Sequence, residues 1–284
     1  MNHLALNIEN LSVEVAASGK RLLRSVSLSV APGEIHGLVG ESGAGKSTLA
    51  KAILGILARG LEVTGGSIRV DGKDHRARDI ASGGEIAFIP QDPLSALNPS
   101  RKIGAQLGDA MRSLRLSKPD RMQKMRSLLD DVQIREPERV LASYPHELSG
   151  GMRQRVLIAS AFATDPKLIL ADEPTTALDV TVQKQVLRLI RDMQHRHNTA
   201  MVFVTHDLGV VAQICDSVSV LYAGLLVEQA PVTEIFADPQ HAYTRALMDA
   251  SPRFDRPELG MVPIDDNVFD DLAREIAAFD RVQP

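Results

Sequence analysis

Gly40-Glu41-Ser42-Gly43-Ala44-Gly45-Lys46-Ser47-Thr48 is the stretch from which the rest of the chain can be read. Gly40 and Gly45 enclose four residues and are followed by Lys and Ser, the G-x-x-x-x-G-K-[ST] spacing of a phosphate-cradling loop. Ahead of it, Glu34-Ile35-His36-Gly37-Leu38-Val39 reads as a short buried strand. Behind it, Thr48 to Leu54 has the composition and apolar spacing of a helix. Glycines at 40, 43 and 45 permit a tight turn, so that successive amide N–H groups and the helix N-terminus converge on one anion. Lys46 is placed to pair with β- and γ-phosphates, and the Ser47 hydroxyl to ligate Mg2+.

Composition sets the outer bounds. The chain has 284 residues, 44% of them hydrophobic, enough for one large core with an appended segment. A formal net charge of -4 argues against a binder of nucleic-acid backbones. A single cysteine, Cys215, excludes an intrachain disulfide and a cysteine cluster for zinc or iron–sulfur, and fits a reducing compartment. The N-terminus carries Glu9 and Glu14 and has no apolar region with a cleavage pattern, so no signal peptide is expected. Asp207, Asp216 and Glu228 interrupt the most apolar C-terminal part, so any membrane role is expected to run through a partner.

Residues 4 to 30 alternate apolar and polar in two runs separated by Ala16 to Lys20, and Gly66 to Val70 forms a third run that ends in Asp71-Gly72. These predict an antiparallel β layer beside the phosphate-loop core. No Phe, Tyr or Trp precedes Phe88, so this layer has no aromatic ring to stack on an adenine. Arg21 or Arg24 is a candidate to stack in its place; the plainer reading of each is a solvated hairpin charge.

Ile86 to Ile89 reads as a buried strand stopped by Pro90 and Pro93, which leaves Gln91 at its end, where an amide can touch a metal ion and a water together. From about 95 to 160 the pattern turns helical. Ile103, Leu107, Met111 and Leu114 recur at helical spacing, as do Met122, Met125, Leu128, Leu129 and Val132, predicting a small inserted helical subdomain. Its end carries Leu148-Ser149-Gly150-Gly151-Met152-Arg153-Gln154. Ser149 and two glycines before an apolar run make a second anion-ready helix start, or only a capped helix.

Lys167 to Ala171 reads as a buried strand ending in Asp172 and Glu173. Adjacent residues on a strand point to opposite faces, so the two carboxylates are expected to divide the work: one in a Mg2+ shell, the other orienting or deprotonating a water. Asp179 can cap a helix from Val180 to His195. Met201 to Thr205 is another buried strand, with His206 at its end as a candidate γ-phosphate sensor.

Together these motifs resemble, in family order, the ATP-binding subunit of an ABC transporter. Gly40 to Thr48 are similar to its Walker A loop, Gln91 to its Q-loop, and Leu148 to Gln154 to its signature motif. Leu168 to Glu173 resemble the Walker B strand, Ala177-Leu178-Asp179 the D-loop, and His206 the switch histidine. Gln91 to Pro99 and His241 to Leu247 are further similar to the oligopeptide, dipeptide and nickel importer ATPases. The only cysteine lies before the second of these segments, whereas that subfamily commonly carries cysteines after it.

The resemblance implies an α/β P-loop NTPase fold with an N-terminal antiparallel layer and a helical insert, spanning 1–250. It implies ATP and Mg2+ as ligands, with Ser47, Gln91 and Asp172 at the metal. Glu173 and His206, with Gln91, are then catalytic. Leu148, Ser149, Gly150, Gly151 and Gln154 serve a nucleotide held by a second, identical or homologous ATPase, with Asp179 at the contact. The partners implied are two permease subunits and, indirectly, an external solute-binding protein. The implied place is the cytoplasmic face of the cell membrane, as a peripheral subunit importing peptides, nickel or a related solute. Two other classes compete: a soluble ABC ATPase acting on ribosomes or nucleic acid, disfavoured by one cassette and an acidic balance, and a regulatory module that binds ATP without hydrolysing it, disfavoured by Glu173 and His206.

Residues 251 to 284 carry eight acidic residues against four arginines, a balance of -4. Val268, Leu272 and Ile276 with Phe269 and Phe279 predict a short amphipathic helix docked on the core or a partner, with disorder as the alternative.

Overall fold

A computed structural model describes residues 4–75, 85–176, 178–250 and 264–282. Ala177 of the D-loop segment, and Asp255 and Glu258 of the acidic tail, lie outside the described residues. The alternating N-terminal runs form β1 (Leu6–Val15) and β2 (Lys20–Val30), an antiparallel pair. Leu6, Ile8, Leu11 and Val13 are buried, the alternation being shifted by one residue at the register irregularity between Ile8 and Leu11, where Asn10 has φ 50. After β3 (Ile35–Val39), the chain returns as β4 (Leu61–Val70) on the other side of β1, and β5 (Lys73–Asp74) completes a four-stranded sheet in the order β2-β1-β4-β5.

The second sheet holds β3 with β6 (Ile86–Ile89), β7 (Leu168–Asp172), β8 (Ala200–Val204), β9 (Ser217–Tyr222) and β10 (Leu225–Pro231), in the order β10-β9-β3-β8-β7-β6. β9, β3, β8, β7 and β6 run parallel, and β10 turns back antiparallel at the edge. β3 and β8 bury every residue, which is why both read as continuous apolar runs. Alternate residues feed two cores. Leu38, Leu168, Leu170, Val202 and Val204 face the N-terminal sheet and the helix Lys46–Ile53. Ile35, Ile169, Ala171, Met201 and Phe203 face the helices on the other side.

Between β6 and β7 the described chain is helical, with helices Pro93–Ala96, Ile103–Ala110, Lys118–Asp131, Pro137–Ala142 and Gly150–Phe162. Ile103, Leu107, Met111, Met125, Leu128, Leu129 and Val132 are buried there, so the methionines fill core space. The helix after β7 runs Val180–His197, a turn's fraction beyond its expected end, with Asn198 in the left-handed region as its stop.

The C-terminal residues return to the same core. Tyr243, on the helix Ala242–Ala250, is fully buried and packs 4.9 Å from the ring of Tyr222 on β9. Tyr222 in turn lies 6.2 Å from Phe269, on the helix Asp266–Val282. Leu272 is buried, with Val268 and Phe269 packed beside it, so the amphipathic helix expected in the tail forms and docks on the core. Cys215 is buried among apolar neighbours, and burial pushes its thiol up, which leaves it unreactive. No helix among the described residues is long and apolar enough to cross a membrane.

Candidate nucleotide site

Because β3, β6, β7 and β8 are parallel, their C-terminal ends share one edge of the sheet. That edge gathers residues far apart in sequence: the loop after β3, Gln91 after β6, Asp172 and Glu173 at the end of β7, and His206 after β8. They line an open cleft of about 990 Å³, with Glu41, Ser42, Gly43, Gly45, Lys46, Ser47 and Thr48 as its floor.

The loop is shaped by backbone that only glycine adopts here. At Gly40, with φ 154, an added Cβ would lie 2.1 Å from the carbonyl oxygen of Leu221, so the chain can leave β3 against β9 only without a side chain. Ala44 is buried beneath the loop and holds it to the β9–β10 turn, its carbonyl accepting from the Gly224 amide at 2.7 Å. The helix Lys46–Ile53 starts at Gly45 with no side-chain cap, so its first-turn N–H groups remain for an anion. Lys46 Nζ donates to the carbonyl oxygens of Gly40 and Glu41 at 2.6 and 2.8 Å, which folds the ammonium over the loop. Burial lowers its pKa, while Glu173, Asp172 and Glu41 pull the other way.

Glu173 is the hub of the opposite wall. Its Oε1 accepts from His206 Nδ1 at 2.8 Å, and its Oε2 accepts from Gln91 Nε2 at 3.1 Å and from the Thr176 hydroxyl at 3.0 Å. The Glu173 amide donates to the Val204 carbonyl at 2.9 Å, extending the β7–β8 ladder by one bond, and its φ of 44 then turns the chain off the strand. This corrects the expectation of opposite faces. Asp172 and Glu173 line the same cleft, because Glu173 has left the strand conformation on which strict alternation depends. Burial raises the pKa of Asp172, the neighbouring Glu173 charge adds to this, and Lys46 opposes it.

These donors suit a hard divalent cation. Ser47, Gln91 and Asp172 offer oxygen ligands, the set that Mg2+ takes together with phosphate oxygens. Among the described residues no three His, Cys, Asp or Glu side chains cluster as a metal cage.

The signature segment lies elsewhere. None of Leu148, Ser149, Gly150, Gly151 and Gln154 lines the cleft. Ser149 caps the helix Gly150–Phe162, its hydroxyl accepting from the Met152 amide at 3.3 Å, and a Cβ on Gly150 would meet open space. Gln154 is a correction: it is fully buried, its amide atoms without a partner among the described residues, so its side chain cannot reach a nucleotide on another chain. Leu148 is likewise buried and supports the segment from within. Asp179 caps the helix Val180–His197, accepting from the Thr181 and Val182 amides at 3.1 and 3.0 Å.

Two features escaped sequence reading. Thr176 was legible only as part of a turn, yet its hydroxyl holds Glu173. Arg21 and Arg24 are not solvated charges: both bind Asp280 of the C-terminal helix, about the whole length of the chain away, and no local pattern signals such a pair.

Known proteins match this chain in sequence and in fold. Residues 23–176 match the family model described as ABC transporter. The probable peptide ABC transporter ATP-binding protein y4tR of Sinorhizobium fredii is 48% identical over 240 residues, covering 82% of this chain and 71% of that protein. The dipeptide transport ATP-binding protein DppD of Bacillus subtilis is 42% identical over 270 residues, covering 92% and 80%. Among solved structures, cbiO1 from Clostridium perfringens, part of the ABC transporter complex cbiONQ, superposes with a TM-score of 0.73 at 26% identity, covering 83% of this chain and 92% of that one. The chain belongs to the ABC transporter family and is an ATP-binding, ATP-hydrolysing subunit of that class. Within the class, residues 227–275 match the model described as oligopeptide/dipeptide transporter, C-terminal region, the segment that here carries Tyr243, Phe269 and Leu272.

Proposed function

We propose that the chain is the ATPase of a peptide importer, working as one of two ATP-binding subunits beneath a pair of permeases. The observation that carries the chemistry is the meeting of Glu173, Gln91 and His206 on the sheet edge that also holds the phosphate loop. Lys46 and the amides from Gly43 to Thr48 bind the phosphates of ATP. Ser47, Gln91 and Asp172 hold Mg2+, which when bound neutralises phosphate charge and fixes the phosphate oxygens. Glu173 accepts a proton from the attacking water, and His206, held at Nδ1, offers its other ring nitrogen to the γ-phosphate.

In the arrangement described here both oxygens of Glu173 are already engaged. A carboxylate oxygen has two lone pairs, so Oε1, which takes one bond, can still accept from a water, while Gln91 on Oε2 ties the carboxylate to the end of β6. That makes Gln91 the link between the reacting end and its surroundings, where Phe88 and Leu94 are exposed apolar side chains that a permease would cover. Across a head-to-tail pair of subunits, Ser149, Gly150 and Gly151 would present the uncovered helix start to the partner's nucleotide, with Asp179 near the contact. Residues 1–250 form the nucleotide-binding domain, with the insert at about 95–160, and 251–284 the acidic tail.

Peptides are the favoured cargo because the Bacillus subtilis and Sinorhizobium fredii relatives are named for dipeptide and peptide transport. The subunit sits peripherally at the cytoplasmic face of the membrane. Tagged Glu173→Gln protein, trapped with ATP and recovered from detergent-solubilised membranes of its host, tests the reading. Co-purification of two permeases, with or without a second ATPase, is expected; ribosomes, or no membrane protein, would overturn it.

A further inference from the structure

A nucleotide in this cleft has its reacting end at Glu173 and His206 and its phosphates over the loop from Glu41 to Thr48. What remains of the lining for the base is Lys20, Arg21, Leu22 and Arg24 of β2 with Ala223 of the β9–β10 turn. None of these is aromatic, and the sequence has no Phe, Tyr or Trp before Phe88 to supply a ring from the N-terminal sheet.

Arg24 is not a loose surface cation. Its Nε donates to Asp280 Oδ1 at 3.1 Å and its Nη2 to Asp280 Oδ2 at 3.1 Å, the paired fork that a guanidinium and a carboxylate make when coplanar. Its Nη1 donates to the carbonyl oxygens of Ala223 at 2.6 Å and Arg21 at 3.3 Å. The side chain is only 13% exposed. Arg21 closes the cluster, with Nη1 to Asp280 Oδ1 at 3.1 Å and Nε to Glu14 Oε1 at 3.2 Å. A guanidinium whose three nitrogens all donate has little left to offer at its edge. It offers its flat face, which stacks on a planar π system.

We propose that Arg24 is the base-stacking residue of this ATPase, and that Asp280 of the C-terminal helix is the positioning residue that holds its guanidinium flat against the cleft. The inference rests on the cleft being the ATP site. It makes the C-terminal helix part of that site: the helix is anchored by Leu272 and Phe269 at one end and reaches the rim through Asp280 at the other. A stacked face does not read base edges, so adenine and guanine are held alike.

Equilibrium binding of ATP, GTP and inorganic tripolyphosphate, each with Mg2+, to the full chain separates base from phosphate contributions. Arg24→Ala is expected to weaken ATP and GTP by about tenfold and to leave tripolyphosphate within about twofold. Arg24→Lys, which keeps the charge and loses the plane, is expected to behave like Arg24→Ala and guards against a folding defect. Asp280→Asn is expected to weaken ATP by a smaller factor, again sparing tripolyphosphate, which a merely structural helix would not do selectively. Lys46→Ala is expected to weaken all three ligands. Should Arg24→Ala and Arg24→Lys leave ATP affinity intact, or weaken tripolyphosphate as much as ATP, while Lys46→Ala behaves as stated, the stacking role is wrong and the ATP site stands. Should the unaltered chain bind none of the ligands, both readings fall.

Discussion

His206 Nδ1 donates to Glu173 Oε1 across 2.8 Å, joining the turn after β7 to the turn after β8. The bond orients the two side chains against each other, and on the proposed reading it ties the phosphate sensor to the general base. A change at either end is therefore felt at the other, and the two are expected to be non-additive.

Glu173→Gln keeps the shape and the bonds from Thr176 and Gln91 but loses the basic oxygen. Turnover is expected to fall by about 10²–10⁴-fold with ATP binding retained, measured as phosphate release and nucleotide affinity on the same preparation. Undiminished phosphate release would remove Glu173 from the catalytic role.

Thr176→Val deletes a hydroxyl that donates to Glu173 Oε2 at 3.0 Å. Losing a hydrogen bond to a charged group costs roughly 1.5–3 kcal/mol, so kcat is expected to drop about tenfold or more with KM little changed. A change confined to KM would mean that Thr176 serves binding and not the carboxylate.

The buried His36 predicts an acid limit to stability. Its Nε2 bonds Ser219 Oγ at 2.8 Å and its Nδ1 bonds Ser217 Oγ at 2.6 Å, while Ser217 also donates to Glu34. Burial alone would raise the Glu34 pKa, but bonds from His36, Ser217 and the Ala31 amide outweigh it and lower the group from 4.5 to about 2. A depressed carboxylate stabilises the fold fully above its unfolded value and progressively less as pH falls toward its folded value. The difference in unfolding free energy between the unaltered chain and Glu34→Gln is thus expected to be largest near pH 7 and to shrink as pH falls from 4.5 toward about 2. Urea titrations across pH 7 to 3 would show it; a gap independent of pH would refute the account.

Two glycines of one helix should respond oppositely to alanine. A Cβ at Gly104 would lie 2.9 Å from the Leu141 carbonyl oxygen and 3.3 Å from Leu141 Cβ, so Gly104→Ala must push the helices Ile103–Ala110 and Pro137–Ala142 apart, at about 1–3 kcal/mol. At Gly108 the nearest atom is Arg121 Cδ at 3.6 Å, ordinary contact, so Gly108→Ala is expected to gain roughly 0.5–1 kcal/mol from helix propensity. Denaturant unfolding of the two variants checks both signs.

Much of this was legible from residue order alone, because the chemistry is written in short contiguous runs. The phosphate loop declares itself by glycine spacing, and β3, β7 and β8 by apolar runs that parallel strands buried on both faces must have. Even the tail helix could be read from Val268, Leu272 and Ile276. Gln154 was misplaced because a glutamine beside Ser149 and Gly150 looks exposed until helix phase turns it inward. Asp172 and Glu173 were sent to opposite faces because sequence carries no sign of the positive φ at which the strand ends.

The sequence by itself determined the class of protein and pointed to a candidate phosphate loop, carboxylate and histidine, since each depends on local spacing and side-chain chemistry. Only the tertiary structure decided that Thr176 and Gln91 hold Glu173, and that Asp280 returns across the fold to fix Arg21 and Arg24 at the rim of the cleft. The physical reason is that a parallel sheet collects its strand ends, and a docked terminal helix its charges, from positions whose separation in the chain carries no local signal.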